Sequence, residues 1–359
     1  MWLAAAGAHA DCGSWPQWED FRHDLLSADG RVIDASTARQ HSTSEGQSYA
    51  LFFALVANDR DTFERVLQWT GNNLAAGDLS SRLPAWQWGR RDDGSWGVID
   101  ANAASDADVW IAYSLAEAAR LWNVRRYRIL SKAIAQRILA EETATLPGLG
   151  LVLLPAPQGF TPAPGKWRLN PSYLPLQALR GLARYDGRWN ALAASSAHVI
   201  VDSAPRGYAP DWTLYDGSHF LPDADTRGIG SYNAIRVYLW AGMLDAADPA
   251  RAVLLRALNP MAQYVAGHRA PPESVEVSTG ETHNDGPAGF SGALVPFLSA
   301  LADSSGAATQ ATRARQSLGG LPKPYYGSAL NLFGLGYAEG RYRFDAGGQL
   351  HPRWEGVCK

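Results

Sequence analysis

Cysteine is scarce in this chain: only Cys12 and Cys358 occur among 359 residues, and the eight histidines show no ligand spacing. Neither a metal centre nor an organic cofactor is therefore implied. Apolar runs are short, and none approaches the ~20 residues that a membrane-spanning helix needs. There is no Gly/Ser- or Pro-rich linker, no block of like charge and no low-complexity tract, which argues against separate domains. Formal net charge is -3 with Lys and Arg scattered along the chain, so the basic stripe of a nucleic-acid-binding surface is missing. Strand signals are few and fall between helical segments.

What is present is apolar bulk, 46% of the residues, enough for one large core. Residues 11–359 read as a single domain. Residues 1–10 (MWLAAAGAHA) end in Ala8-His9-Ala10, the A-x-A pattern of a signal-peptidase site, but lack a basic start. They read as the remnant of a signal peptide and point to a periplasmic or secreted protein. In that oxidising setting Cys12 and Cys358 can close the chain as a disulfide, because domain termini are often neighbours; two unpaired thiols remain open. Fourteen Trp and fourteen Tyr are a surplus for a soluble domain. Many must be core, yet aromatic faces also stack on sugar rings.

Residues 104–122 (ASDADVWIAYSLAEAARLW) show the helical period most clearly, with Ile111, Ala112, Leu115, Ala119 and Trp122 on one face. Ser105 or Asp106 can cap that helix. Asp106 and Trp110 share a face and Asp108 points elsewhere, so the two aspartates are not a matched catalytic pair. Further helical patterns cover 15–26, 44–56, 61–73, 125–142, 172–185, 188–202, 231–244, 249–266, 289–301, 307–318 and 325–339. Ser44 and Gln47 have capping-box spacing, Asn170-Pro171 launches one helix and Asp248 is placed to cap another. Residues 77–99 read as loop, 146–167 as a loop with a short hairpin, and 271–285 as extended. About twelve helices joined alternately by short turns and long loops favour an all-α array of hairpins. Glu45, Asp106, Tyr173 and Asn233 each fall in the first turn of an expected helix. If the hairpins close into a ring, these four polar side chains meet in one cleft.

These segments resemble glycoside hydrolase family 8, whose inverting β-glucan hydrolases have a six-hairpin α/α barrel (toroid) with long loops forming a cleft on one rim. Ala104-Ser105-Asp106-Ala107-Asp108, Ile111-Ala112 and Trp122 match that family's signature. SEGQSYALFFALVANDR, LPAWQWG, PGLG, NPSYLP, SYNAIRVYLWAGM and GFSGALVPFL are similar to the branch encoded with bacterial cellulose synthase, periplasmic endo-1,4-β-glucanases. The two cysteines and the clipped leader fit that branch. The resemblance implies a monomeric glycosidase acting on cellulose and cello-oligosaccharides, with possible contact to the synthase complex, no membrane insertion and no cofactor. By position, Glu45 matches the general acid, while Asp106, Tyr173 and Arg236 match residues that hold the sugar at the cleavage subsite. Trp88, Trp96 and Trp110 are candidate stacking platforms. An acid working near neutral pH must keep its proton, so Glu45 is expected to have apolar neighbours, Tyr49 among them, or the charge of Asp106 beside it.

One position departs from the pattern. The branch has its general base, an aspartate, where this chain has Asn233. An amide can orient water but cannot accept a proton with useful basicity. Three readings compete: an inactivating substitution, a natural variant with another base such as Glu281 or Asp285, or a non-catalytic glucan-binding relative. A different β-1,4 specificity, for xylan or chitosan, is the alternative among enzymes.

Overall fold

The computed structural model describes residues 14–316 and 325–357. Residues 1–10, Cys12 and Cys358 lie outside the described residues, and so do the leader and the disulfide expected there. In chain order the helices are α1 (Pro16–Leu25), α2 (Ser44–Val56), α3 (Arg60–Leu74), α4 (Ser105–Leu121), α5 (Arg125–Glu141), α6 (Leu176–Leu182), α7 (Arg188–Asp202), α8 (Ile235–Gly242), α9 (Arg251–Ala257), α10 (Asn259–Gly267), α11 (Ala288–Ala300), α12 (Ser304–Gln316), α13 (Tyr325–Ala338) and α14 (Arg353–Val357). The fold is helix-rich, as the periodicity implies.

Two kinds of helix alternate, and composition decides which is which. Helices α2, α4, α6, α8, α11 and α13 are apolar on nearly every face, and in α2 Glu45 is the one residue not fully buried. Helices α1, α3, α5, α7 and α12 bury a single stripe. A helix apolar all round needs neighbours all round. Accordingly α2 packs on α4, α4 on α6, α8 on α11 and α11 on α13, while α13 also touches α2 and α8. Each has a one-sided helix behind it: α3 behind α2, α5 behind α4, α7 behind α6, α9 behind α8, α12 behind α11 and α1 behind α13. The α11–α13 approach depends on glycine, because a methyl group on Gly334 would strike the carbonyl of Gly292.

Aromatics from four inner helices meet at the centre. Phe333 lies 4.6 Å from Phe53, 5.4 Å from Trp110 and 5.2 Å from Trp240, ring centre to ring centre. Much of the aromatic surplus is spent here. Trp110 is wholly buried in this cluster, so it has no face to offer a ligand and its reading as a stacking platform is corrected. One turn from Asp106, it forms the floor beneath the site rather than a wall.

Thirteen strands of two to five residues occupy the connections among the described residues. They form three three-stranded antiparallel sheets and two hairpins. The 77–99 segment, expected as loop, contains the hairpin Gln87–Arg90 with Trp96–Asp100, and Ser42–Thr43 joins its edge directly before α2. The hairpin expected inside 146–167 sits earlier, Thr143–Leu146 with Gly150–Leu153. Helical spans also shrink where proline intrudes. The 172–185 pattern becomes a 3-10 turn, Pro171–Tyr173, separated by Pro175 from α6, and 249–266 divides into α9 and α10 at Asn259-Pro260. Asp248 caps the lead-in to α9 by accepting from the Ala250 N–H at 2.8 Å.

Candidate active site

The starts of α2, α4, α8 and α13 and the 3-10 turn meet in one place, and Arg236 in the first turn of α8 is its hub. Its Nη1 donates to the Glu45 carboxylate, to the Tyr49 hydroxyl at 2.9 Å and to Asp106 Oδ2 at 3.0 Å. Its Nη2 donates to Ser172 Oγ at 3.0 Å and to Asn233 Oδ1 at 2.8 Å. Nε is buried with no partner. The Tyr173 ring lies 5.6 Å and the Tyr326 ring 5.9 Å from the guanidinium carbon. The structure thus brings together Glu45, Asp106, Tyr173, Asn233 and Arg236, drawn from segments up to 191 residues apart.

Local chemistry sets each position. Thr43, not Ser44, caps α2, its side chain accepting from the Gly46 N–H at 3.1 Å. The capping box expected from Ser44 and Gln47 does not form. Gln47 is buried and turned to the Val32 N–H and the Gly30 carbonyl, which pins the preceding loop to α2. Nor do Ser105 or Asp106 cap α4; its N-cap is Ala104, which has no side chain able to do so. Asp106 instead spends Oδ1 on the adjacent Ala107 N–H at 2.8 Å and turns Oδ2 to Arg236.

Electrostatics follow from burial. Burial pushes the Asp106 carboxyl up to about 6, with the charge of Glu45 adding to the rise and Arg236 opposing it. The phenols of Tyr49, Tyr173 and Tyr325 are pushed well above their ordinary value, chiefly by burial, and remain protonated. Burial opposes the charge on Arg236, but the surrounding phenols and carboxylates hold it firmly cationic. Glu45 is partly exposed, its side chain 21% accessible, and Tyr173 and Asn233 are half-buried beside it. Of the two surroundings expected, the Asp106 carboxylate is there, sharing Arg236 Nη1 with Glu45, and the apolar wall is not: Arg236 faces Oε2 and the Tyr325 hydroxyl donates to Oε1 at 3.0 Å. Tyr49 serves as a polar partner of Arg236 rather than as a hydrophobic shield.

Asn233 stands in the turn before α8. Its Oδ1 accepts from Arg236 and, at 3.4 Å, from Asn170 Nδ2. Both lone pairs are occupied, so the amide turns its N–H2 rather than an acceptor toward open space. The turn itself is held by Asp211, whose Oδ1 accepts from the backbone N–H groups of Ser231, Asn233 and Ala234 at 2.8, 2.9 and 2.8 Å. Glu281 is exposed in the turn between Pro272–Glu276 and Thr282–Asp285, and Asp285 is exposed at the end of that hairpin. Neither makes a hydrogen bond to the Arg236 cluster. Trp88 and Trp96 stack at 5.5 Å in the sheet leading into α2, and Arg31 lies over both rings.

Tyr325, Asn170, Ser172 and Asp211 were not singled out by sequence reasoning as site residues. Tyr325 obeys the same first-turn rule as the others and was legible on that ground. Asp211 had no such signal, since its partners lie 20 or more residues away in an irregular stretch. Among the described residues no three His, Cys, Asp or Glu side chains gather into a metal-ligating group.

Known proteins share this arrangement of chain. The sequence model of glycosyl hydrolases family 8 matches residues 1–340. An endoglucanase of Xanthomonas axonopodis pv. citri (strain 306) is 50% identical over 355 residues, 98% of this chain and 92% of the relative. An endoglucanase of Escherichia coli (strain K12) is 44% identical over 357 residues, 99% of this chain and 95% of the relative. The crystal structure of endo-1,4-D-glucanase from Vibrio fischeri ES114 superimposes with a TM-score of 0.92 at 44% identity, over 95% of this chain and 99% of that one. With its helix starts gathered around two carboxylates, one arginine and one amide, and its sequence matched by the family model over residues 1–340, the chain belongs to glycosyl hydrolases family 8.

Proposed function

We propose that the chain is an endo-1,4-β-glucanase acting on cellulose in the periplasm or outside the cell, built as a six-hairpin α/α barrel and attenuated by Asn233. The contact of α13 with both α1 and α2 supports closure of the ring. Cleavage is a single displacement. Glu45 protonates the leaving glycosidic oxygen while water attacks the anomeric carbon from the opposite face; the water's proton needs a carboxylate at position 233, which Asn233→Asp would supply and Asn233 does not. Arg236, Asp106 and Tyr173 hold the sugar between them. Because one guanidinium touches both Glu45 and Asn233, their polar atoms lie less than about 8 Å apart, close enough to act on one glycosidic bond.

The carrying observation is the engagement of Asn233 Oδ1 by Arg236 and Asn170. An amide so held has no lone pair for a water proton. An aspartate in its place would meet the same two donors, which favour the ionised form that a base requires. Viscosity loss of carboxymethylcellulose should be slight for this chain and should rise by about 100- to 10,000-fold in Asn233→Asp. High activity in the unaltered chain would mean that another carboxylate is the base. An inert Asn233→Asp that still binds cello-oligosaccharides would make the protein a glucan-binding relative.

A further inference from the structure

Glu142 and Asp108 form a second acidic site that the cleavage chemistry does not use. Both residues are fully buried. All four of their oxygens are buried without a donor from the rest of the described residues, and the two carboxyls act on each other. Two carboxylates buried against each other cannot both be charged without a large cost. One proton must stay between them, and helix position decides where. Asp108 lies in the first turn of α4, where the dipole favours an anion, whereas Glu142 is the C-cap of α5, where it does not.

We propose that Glu142 carries the proton and donates it to an ionised Asp108, and that this one-proton pair seats the first turn of α4 and with it Asp106. Burial pushes both carboxyls well above the carboxylate range. The charged groups acting on the pair from their own helices are Asp106 on α4 and Glu141 on α5, both acidic, and Glu141 is itself paired with Arg137 at 2.6 Å. Each adds to the cost of a second negative charge.

The first turn of α4 needs such a seat because Ala104 cannot cap it. Besides the bonds of Asp106 to the Ala107 N–H and to Arg236, two ties hold the turn. The Ser105 N–H donates to the Pro155 carbonyl at 2.9 Å, and Asp108 is joined to Glu142, whose own carbonyl accepts from the Leu154 N–H at 2.7 Å. Asp106 lies between these ties, with Oδ2 aimed at Arg236. Glu142 is therefore a positioning residue, two steps removed from the sugar.

Infrared difference spectra at neutral pH, parent minus Glu142→Gln, test the pair directly on the intact protein. A protonated-carboxyl C=O band should be present in the parent and lost in the variant. Labelling glutamate carboxyls with carbon-13 should shift that band and labelling aspartate should not. No band in the parent, or a band that moves with aspartate, overturns the assignment. Thermal melts add a second readout. A folded state that holds a proton the unfolded chain releases loses stability as pH rises above the ordinary carboxylate range, so the parent Tm should fall as pH is raised from about 5. Glu142→Gln, whose amide donates without taking up a proton, should fall less; equal slopes count against the pair. The seating role rests on the glucan reading and is tested apart. Glu142→Leu should weaken cellopentaose binding by about tenfold or more, and Glu142→Gln should restore it. Parent-like binding by Glu142→Leu removes the seating role. Absence of binding in the parent itself counts against the glucan reading, and the spectra and melts then decide the pair. Should Glu142→Leu not fold, Glu142→Gln with those two readouts still decides.

Discussion

Helix α4 carries a buried carboxylate toward each end, and the two are equipped differently. Glu117 is saturated: Arg120 reaches it at 2.9 Å, Arg184 donates to its other oxygen, and the Leu350 N–H adds a bond at 3.1 Å. Those arginines are 25% and 31% exposed, so their charges keep part of their hydration. At Asp106 the cation is as buried as the carboxylate, both side chains being 3% exposed, and Arg236 serves five acceptors while its Nε serves none. The Glu117 cluster is a clasp with every bond committed. Around Asp106, crowded acceptors, one idle donor and an acid open to the cleft describe a site able to exchange partners when sugar hydroxyls arrive.

The largest effect should come from Arg236→Met. Removing the one cation leaves Glu45 and Asp106 facing each other, at a cost of about 3–5 kcal/mol read by urea or thermal melts, together with loss of cello-oligosaccharide binding. Asp106→Asn should move stability the other way. Its carboxyl is raised to about 6, so the stability it contributes is complete below the ordinary carboxylate range and disappears as pH rises through about 6. The amide removes that titration, flattening the dependence of Tm on pH between about 4 and 6 and gaining about 1–3 kcal/mol above it, with sugar binding impaired. A variant that melts like its parent at every pH would mean that Arg236 already compensates the buried charge.

Glu117→Gln is the control for the clasp. Arg120 and Arg184 can turn toward solvent, so the cost should be about 1–3 kcal/mol, with turnover per folded molecule unchanged in an active Asn233→Asp background. A drop in turnover as large as that of Arg236→Met would erase the distinction between the two ends of α4.

The convergence of Glu45, Asp106, Tyr173 and Asn233 was legible because each lies at or near a helix start, and parallel inner helices present their starts together; Arg236 was indicated by the family resemblance alone. Pairings across long gaps carried no such signal: Ser42–Thr43 with Gln87–Arg90, or Asp211 with the Asn233 turn. The polar setting of Glu45 was missed for the same reason, because Tyr325 comes from 280 residues away. Capping was misread where tertiary contacts outbid a local bond, as when Gln47 turned to the Gly30–Val32 segment. Trp110 was misread because an amphipathic period reports which face is buried and not how deep it lies.

The smallest stability effect is expected at the tryptophan that sequence ranked beside Trp110. Trp96 is 47% exposed and gives one face to Trp88 and Arg31. Its loss creates no cavity, so Trp96→Ala should change stability by no more than about 1 kcal/mol. Trp96 stands toward the turn of its hairpin, stacked on Trp88, which pairs with Ser42 three residues before Glu45. Loss of one stacking ring there is worth about 0.5–1.5 kcal/mol, a two- to tenfold weakening for long cello-oligosaccharides. Cellobiose, too short to reach from the cleavage point to the sheet, should bind as before. Calorimetric titration with sugars of increasing length separates these outcomes. Equal affinity of variant and parent for every length would leave Trp96 as the lid of the Arg31 stack and nothing more.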